Sequence, residues 1–204
     1  MKKTASAEYP IAELLAERWS PRAFADRSVE PAALRQLFEA ARWAASSFGE
    51  EPWHYIVATR ENPAEFQKLL SCLVEANQRW ARNAPVLALS VARTTLAKNG
   101  SPNLHAWHDV GAASAMLSIE ATTLGLSVHQ MAGFDPTRAR EAFAIPAGHD
   151  PVAAMAIGYA GDPESLPEPL RSRELSPRKR KPLSEFVYSG SWGHTAHFIA
   201  PGSK

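Results

Sequence analysis

Two short basic clusters lie almost a whole chain apart: Arg18-Trp19-Ser20-Pro21-Arg22 near the start and Arg178-Lys179-Arg180-Lys181-Pro182 near the end. The formal net charge of the 204-residue chain is only +1, so these are local concentrations of cation and not the mark of a generally basic protein. Guanidinium groups grip phosphate and carboxylate through paired, charge-assisted hydrogen bonds. Two such segments converging on one point suit a compact anion such as a phosphate. Ser20 adds a hydroxyl donor between Arg18 and Arg22, in a stretch that leaves the end of a helix. Either cluster taken alone reads equally well as ordinary solvated surface.

Other chemistries find less support. The eleven glycines are scattered singly, and no G-x-G-x-x-G, G-x-x-x-x-G-K-[ST] or G-x-S-x-G occurs, so dinucleotide-fold, P-loop and hydrolase readings lose their usual motifs. His105 and His108, with Asp109 beside them, are spaced i, i+3 on a helix without a further clear ligand, and His194 and His197 stand equally alone. All four read as surface or packing residues. The single Cys72 cannot form an internal disulfide, and in Leu69-Leu70-Ser71-Cys72-Leu73 it reads as a buried structural thiol. No apolar run reaches membrane-spanning length and no signal core follows Met1-Lys2-Lys3-Thr4, which points to a cytoplasmic protein without a membrane partner. Aromatics do not interleave with the terminal basic cluster, which argues against nucleic acid.

The elements that must position the basic clusters follow from periodicity and caps. With 45% apolar and 21% charged residues the chain is expected to form one globular domain, 1–204. Helices are predicted over Ile11–Glu17, with Ile11, Leu14 and Leu15 on one face, and from Glu30-Pro31 to about Ala45. Strand His54–Thr59 follows, then a helix of about Ala64–Val74 capped at Asn62-Pro63, and a short one carrying Asn77 and Trp80. Pro85–Ala92 is a continuous apolar run suited to a buried central strand. A polar linker, Thr94–Leu104, leads to the longest helix, His105–Leu124, whose Gly111–Ala115 run permits close packing and whose C-cap is Gly125. Strand Ser127–Met131, a helix from Asp135-Pro136 to Phe143, and strand Val152–Tyr159 complete the core. The Pro-rich, charged stretch Gly161–Pro182 is a poor core former, expected to run over the surface or a partner. The pattern is α+β or an α/β sandwich.

Seven segments in order, across residues 11 to 188, resemble the FMN-dependent nitroreductase family. They are Arg18-x-Ser20-x-Arg22-x-Phe24; Ala41–Ser47 closing on Glu51-Pro52-Trp53; Asn77-x-x-Trp80; Asp109 and Gly111 through Leu124-Gly125-Leu126; His129–Asp135; Ile157-Gly158-Tyr159; and Arg178-x-Arg180-Lys181-Pro182-Leu183. The resemblance implies an α+β three-layer sandwich, with a mixed, mainly antiparallel central sheet flanked by helices. It also implies an intertwined homodimer that binds FMN at the interface, with residues 161–204 as an extended segment wrapping the partner subunit. Carried over by motif, Arg18 and Ser20, with Trp19 between them, meet the flavin phosphate and ribityl chain, and Arg178 and Arg180 complete the phosphate site. Arg22 falls near flavin N1 and O2, and Asn77 on the pyrimidine edge. Ser46, Ser47 and Gly49 belong to the loop that faces the partner's FMN, while Met131, Ala132 and Gly133 line the N5 edge, the glycine letting the main chain approach.

The same resemblance implies an oxidoreductase: a hydride passes from NADH or NADPH through FMN to a small electron-poor acceptor, a nitroaromatic, a quinone or similar, by a ping-pong mechanism. Flavin N5 carries the hydride, and no side chain is needed beyond Arg22 as charge stabiliser. The alternative is a protein that holds FMN or a small anion without turnover, as a sensor or carrier. Against the family loop P-S-x-x-N-x-Q-P-W, the chain has Gly49 for the polar Asn and Glu51 for Gln. Trp80 stands where some members have a cation, and Ala132 replaces an acid found in others.

Overall fold

The computed structural model describes residues 3–199. Four strands, β1 (Trp53–Thr59), β2 (Val86–Arg93), β3 (Ser127–Met131) and β4 (His149–Gly158), form one sheet in the order β1-β2-β4-β3. Every pairing of these four strands is antiparallel, in line with the mainly antiparallel sheet that the family resemblance implies. The inner strands explain the apolar runs. Leu87, Leu89 and Val91 of β2, with Ala154 and Ala156 of β4, enter one core, while Val86, Ala88, Met155 and Ile157 enter the other. A strand covered on both faces has no polar side, so its sequence does not alternate.

Helices cover both faces. On the first lie α3 (Pro63–Cys72), α4 (Glu75–Ala81) and α6 (Pro136–Ala142); on the second lie α2 (Pro31–Arg42) and α5 (Ala106–Thr123). Asn62 accepts from the Glu65 amide to cap α3, and Asp135 accepts from the Thr137 and Arg138 amides to cap α6, each followed by a proline at the first helical position. In α5, Ala113, Leu117 and Ala121 recur every four residues and pack against Leu37 and Ala41 of α2. Gly125 ends α5 at φ +69°, and the Leu126 amide returns to the Ala121 carbonyl at 2.8 Å, the bond of a Schellman turn. The architecture is a three-layer α+β sandwich. Cys72 is buried, and burial raises the pKa of its thiol.

Element bounds shift by a few residues from those expected, and two differences carry meaning. The first helix, α1, covers only Glu13–Glu17; it packs beside α5, yet Leu14 and Leu15 stay 36% and 45% exposed. The stretch after Gly161 is not extended throughout: it holds two single turns, at Pro163–Ser165 and Leu183–Glu185, and a short helix, α7 (Leu170–Leu175). It buries Pro163, Leu166 and Glu174 against its own subunit.

The join between the basic clusters starts at the end of β4. The Ala25 amide donates to the Tyr159 carbonyl and the Gly161 amide to the Ala23 carbonyl, both at 2.9 Å, so residues 23–25 prolong the sheet past Gly158. The approach is close enough to require glycine: a Cβ on Gly161 would stand 2.6 Å from the Phe24 carbonyl carbon and 2.9 Å from the Ala25 nitrogen. Backbone cannot swing aside as a side-chain tip can. Gly161→Ala is therefore expected to destabilise the protein by about 1–3 kcal/mol, read as a lower midpoint in urea; an unchanged midpoint would refute this packing.

Candidate functional site

The two basic clusters meet. Arg18, Trp19, Ser20 and Arg22 line one side of a cavity of about 230 Å³, and Arg178 and Arg180 line the other. Arg18 leaves the C-terminus of α1 and donates from Nη1 to Ser20 Oγ at 3.3 Å. Arg178 Nη1 donates at 2.8 Å to two main-chain carbonyls, Lys3 and Ala16, and so ties the terminal cluster to the last turn of α1. Lys3 places its ammonium 5.5 Å from the centre of the Trp19 ring. Burial, then the charge of Arg180, lowers the pKa of Arg18; burial, then Arg18 and Arg180, lowers that of Arg178. Arginine stays charged near neutrality, so these shifts report first the partial burial of the two guanidinium groups and then the like charges beside them.

One acid lies among these cations. Glu174, 2% exposed, accepts the Arg22 amide at 2.7 Å and the Ala23 amide at 3.1 Å through Oε1, while Oε2 stands 3.8 Å from Arg22 Nη1. Its own carbonyl accepts from Lys3 Nζ. Sequence reasoning missed this residue because an acid within Arg173-Glu174-Leu175 looks like ordinary surface charge.

A second group of expected residues assembles at the outer strand. Asn77 Nδ2 donates to the Gly133 carbonyl at 3.0 Å, and a Cβ on Gly133 would come within 2.5 Å of that nitrogen. His129 of β3 joins this group to the basic cavity, since its Nδ1 lies 2.9 Å from the Pro21 carbonyl oxygen and its ring centre 4.6 Å from that of Trp80. Trp80, 2% exposed, also stacks on Phe24 at 6.3 Å, so it is a packed core residue. Met131 is a buried strand residue, whereas Ala132 is exposed and borders a separate cavity of about 420 Å³ walled by Trp107 and Phe134.

The loop of Ser46, Ser47 and Gly49 does not line the basic cavity. Ser46 Oγ accepts from the Glu51 amide at 3.1 Å, and the Ser47 amide donates to buried Asp109 of α5 at 3.0 Å. The Arg93 guanidinium clamps the loop's end, donating to the Glu50 carbonyl at 2.8 Å and to its carboxylate at 2.7 Å. Between these anchors Phe48 and Glu51 sit at φ +56° and +44°, a left-handed region that non-glycine residues enter only under constraint. Phe48 is 93% exposed.

His105 is exposed at the start of α5, His108 Nδ1 lies 3.1 Å from Asp109 Oδ1, and His194 Nδ1 lies 2.6 Å from Ser191 Oγ. The His197 ring meets Phe198 edge-on. Among the described residues no three His, Cys, Asp or Glu side chains are grouped to hold a metal ion, and no helix is long and apolar enough to cross a membrane.

Residues 15–159 match the model of the Nitroreductase family. The fold is similar to a solved structure described as the oxidoreductase containing FMN, at 34% identity and TM-score 0.88 over 93% of this chain and 96% of that one. A nitroreductase family protein from Clostridium difficile 630 is 26% identical, with TM-score 0.69 over 90% of this chain and 99% of that one. An uncharacterised 15.4 kDa protein in the ask 5' region of Mycolicibacterium smegmatis is 43% identical over 86 residues. That match covers 42% of this chain and 58% of the relative, so the chain spans little more than half of that relative's length.

His129 generates a pH prediction. Burial lowers its pKa from 6.5 to about 4, with Arg22 adding to the effect and the Pro21 carbonyl opposing it. The unfolded chain thus takes up a proton that the fold refuses. Stability from this site is full above pH 6.5 and falls as the pH drops towards 4, by about 3 kcal/mol. In urea unfolding, His129→Gln is expected to lose about 2–3 kcal/mol less than wild type between pH 7 and pH 4. An equal loss in both proteins would contradict the assignment.

Proposed function

The chain belongs to the nitroreductase family, and from that premise we propose an FMN-dependent oxidoreductase that passes a hydride from NADH or NADPH to a small electron-poor acceptor, a nitroaromatic, a quinone or similar. The observation that carries this reading is the convergence of Arg18, Ser20, Arg178 and Arg180 on one cavity from opposite ends of the sequence. These residues fit a flavin phosphate. Their mutual repulsion, evident at Arg18 and Arg178, is relieved by a dianion, and guanidinium and hydroxyl supply the donors it accepts. Gly133 lets the strand end close onto Asn77, because a Cβ there would occupy the space of the Asn77 amide, and so it fixes the residue that would meet the ring's pyrimidine edge.

FMN held here would supply hydride transfer between a nicotinamide and the acceptor, in a ping-pong sequence. The protein's part is placement and charge. Arg18, Ser20, Arg178 and Arg180 hold the phosphate, with Trp19 beside them. Arg22 sets a cation at the N1 and O2 side, where negative charge gathers on reduction. Asn77 would meet the pyrimidine edge, and Met131, Ala132 and Gly133 would line the N5 edge. Trp107 and Phe134, walling the cavity beside Ala132, give a planar acceptor aromatic surface.

The working unit in this reading is an intertwined homodimer, each chain a single domain. Of the segment 161–204, the stretch through Arg180 packs on its own chain, residues 200–204 lie outside the described residues, and the part after Pro182 is the one that reaches across to the partner. Two features support the dimer. The Ser46–Gly49 loop lies apart from its own basic cavity yet is held rigid with Phe48 turned outward, which suits a loop that serves the other chain's flavin. Gly111 and Ala115 face outward on α5, and Leu14, Leu15, Trp43, Trp107 and Met116 are exposed, apolar surface that a partner chain would cover.

Purified protein is expected to be yellow, to bleach anaerobically with NADH or NADPH, and to regain colour with a quinone or nitroaromatic. Colour without bleaching would favour a flavin-holding protein without turnover, and failure to bind FMN would overturn the flavin reading. Arg22→Ala is expected to slow flavin reduction in stopped flow by about 2–4 kcal/mol of barrier, on the order of 30-fold or more, while FMN is retained. Lost FMN with an unchanged rate would place Arg22 at the phosphate instead.

A further inference from the structure

Glu174 has no part in the roles just assigned, yet it is the one acid lining the basic cavity among the described residues. A carboxylate withdrawn from water is costly unless its oxygens are satisfied. Here Oε1 takes two main-chain amides, Arg22 and Ala23, and Oε2 faces the Arg22 guanidinium. Four residues further on, Arg178 is fastened to the Lys3 and Ala16 carbonyls. The segment 174–178 is thus pinned at both ends across the same cavity, once to the residues after Arg18 and once to the helix before it. Charge alone cannot bring this about, because the arginines on the two sides repel one another.

We propose that Glu174 is the positioning residue of the anion site: its carboxylate fastens the Arg22 and Ala23 main chain to the segment bearing Arg178 and Arg180, and in doing so sets one negative charge among the cations that bind the anion. The two effects oppose each other. The hydrogen bonds assemble the site, and the charge weakens its hold on an anion. A glutamine keeps an acceptor oxygen for both amides and removes the charge, whereas an alanine removes both. This inference rests on the flavin reading only for the identity of the ligand.

The test titrates flavin-stripped protein with FMN by fluorescence and, separately, with inorganic phosphate by calorimetry. Glu174→Ala is expected to weaken both ligands about tenfold or more as the two segments part. Glu174→Gln is expected to bind both about threefold more tightly than wild type, with a steeper loss of affinity in salt. Opposite signs in the two variants separate positioning from a general structural role, which would weaken binding in both. Equal weakening, or wild-type affinity in Glu174→Ala, would overturn the proposal. Should Glu174→Ala fail to fold, Glu174→Gln decides alone: tighter binding supports the proposal and unchanged or weaker binding overturns it. Wild-type protein that binds phosphate but not FMN would sink the flavin reading and leave the phosphate arm to judge Glu174; wild type that binds neither would overturn both.

Discussion

Arginines that meet at one cavity repel, so the fold must hold them together by means other than their own attraction. The means are main-chain bonds. The sheet is prolonged past β4 by residues 23–25, which brings the start of the C-terminal segment beside the first cluster. Glu174 then takes the Arg22 and Ala23 amides, and Arg178 takes the carbonyls of Lys3 and Ala16. Each tie joins parts of the chain more than 130 residues apart. What remains is a set of cations held at close range around one cavity, and the reading of function begins there.

The remainder of the structure can be arranged around that demand. His129 carries the link from the basic cavity to the outer strand, neutral over the physiological range because its ring is buried between Trp80 and the Pro21 carbonyl. Beyond it, Asn77 donates to the Gly133 carbonyl and packs so closely on that residue that only a glycine fits. The strained loop at Phe48 faces away from all of this. In the proposed dimer that outward aim is its purpose, since the anchors at Asp109, Glu50 and Arg93 fix it before any partner arrives.

Much of the fold was legible in the chain because it rests on local chemistry: the caps at Asn62 and Asp135, the stop at Gly125, and the unbroken apolar run of β2. The basic clusters were legible as charge, and the family motifs said that they belong together. Glu174 was not, because its meaning lies in amides 151 and 152 residues away that no local pattern reveals. Nor was the packing of Trp80, since a tryptophan near a cofactor motif reads equally as ligand contact or core. The apolar face of α1 was legible as a face, but not how far it is covered: Leu14 and Leu15 stay partly exposed in the single chain. Periodicity reports that a surface wants cover, but not which chain provides it.

The central claim is that the two distant clusters act as one phosphate site. The most direct measurement compares FMN with riboflavin, which differs only in lacking the phosphate, on flavin-stripped wild type and on the double variant Arg178→Ala, Arg180→Ala. With charge-assisted contacts worth roughly 1.5–3 kcal/mol each, wild type should prefer FMN about a hundredfold or more, and the double variant should lose most of that preference while binding riboflavin as before. Equal affinity of the wild type for the two flavins, or an FMN preference that survives in the double variant, would contradict it.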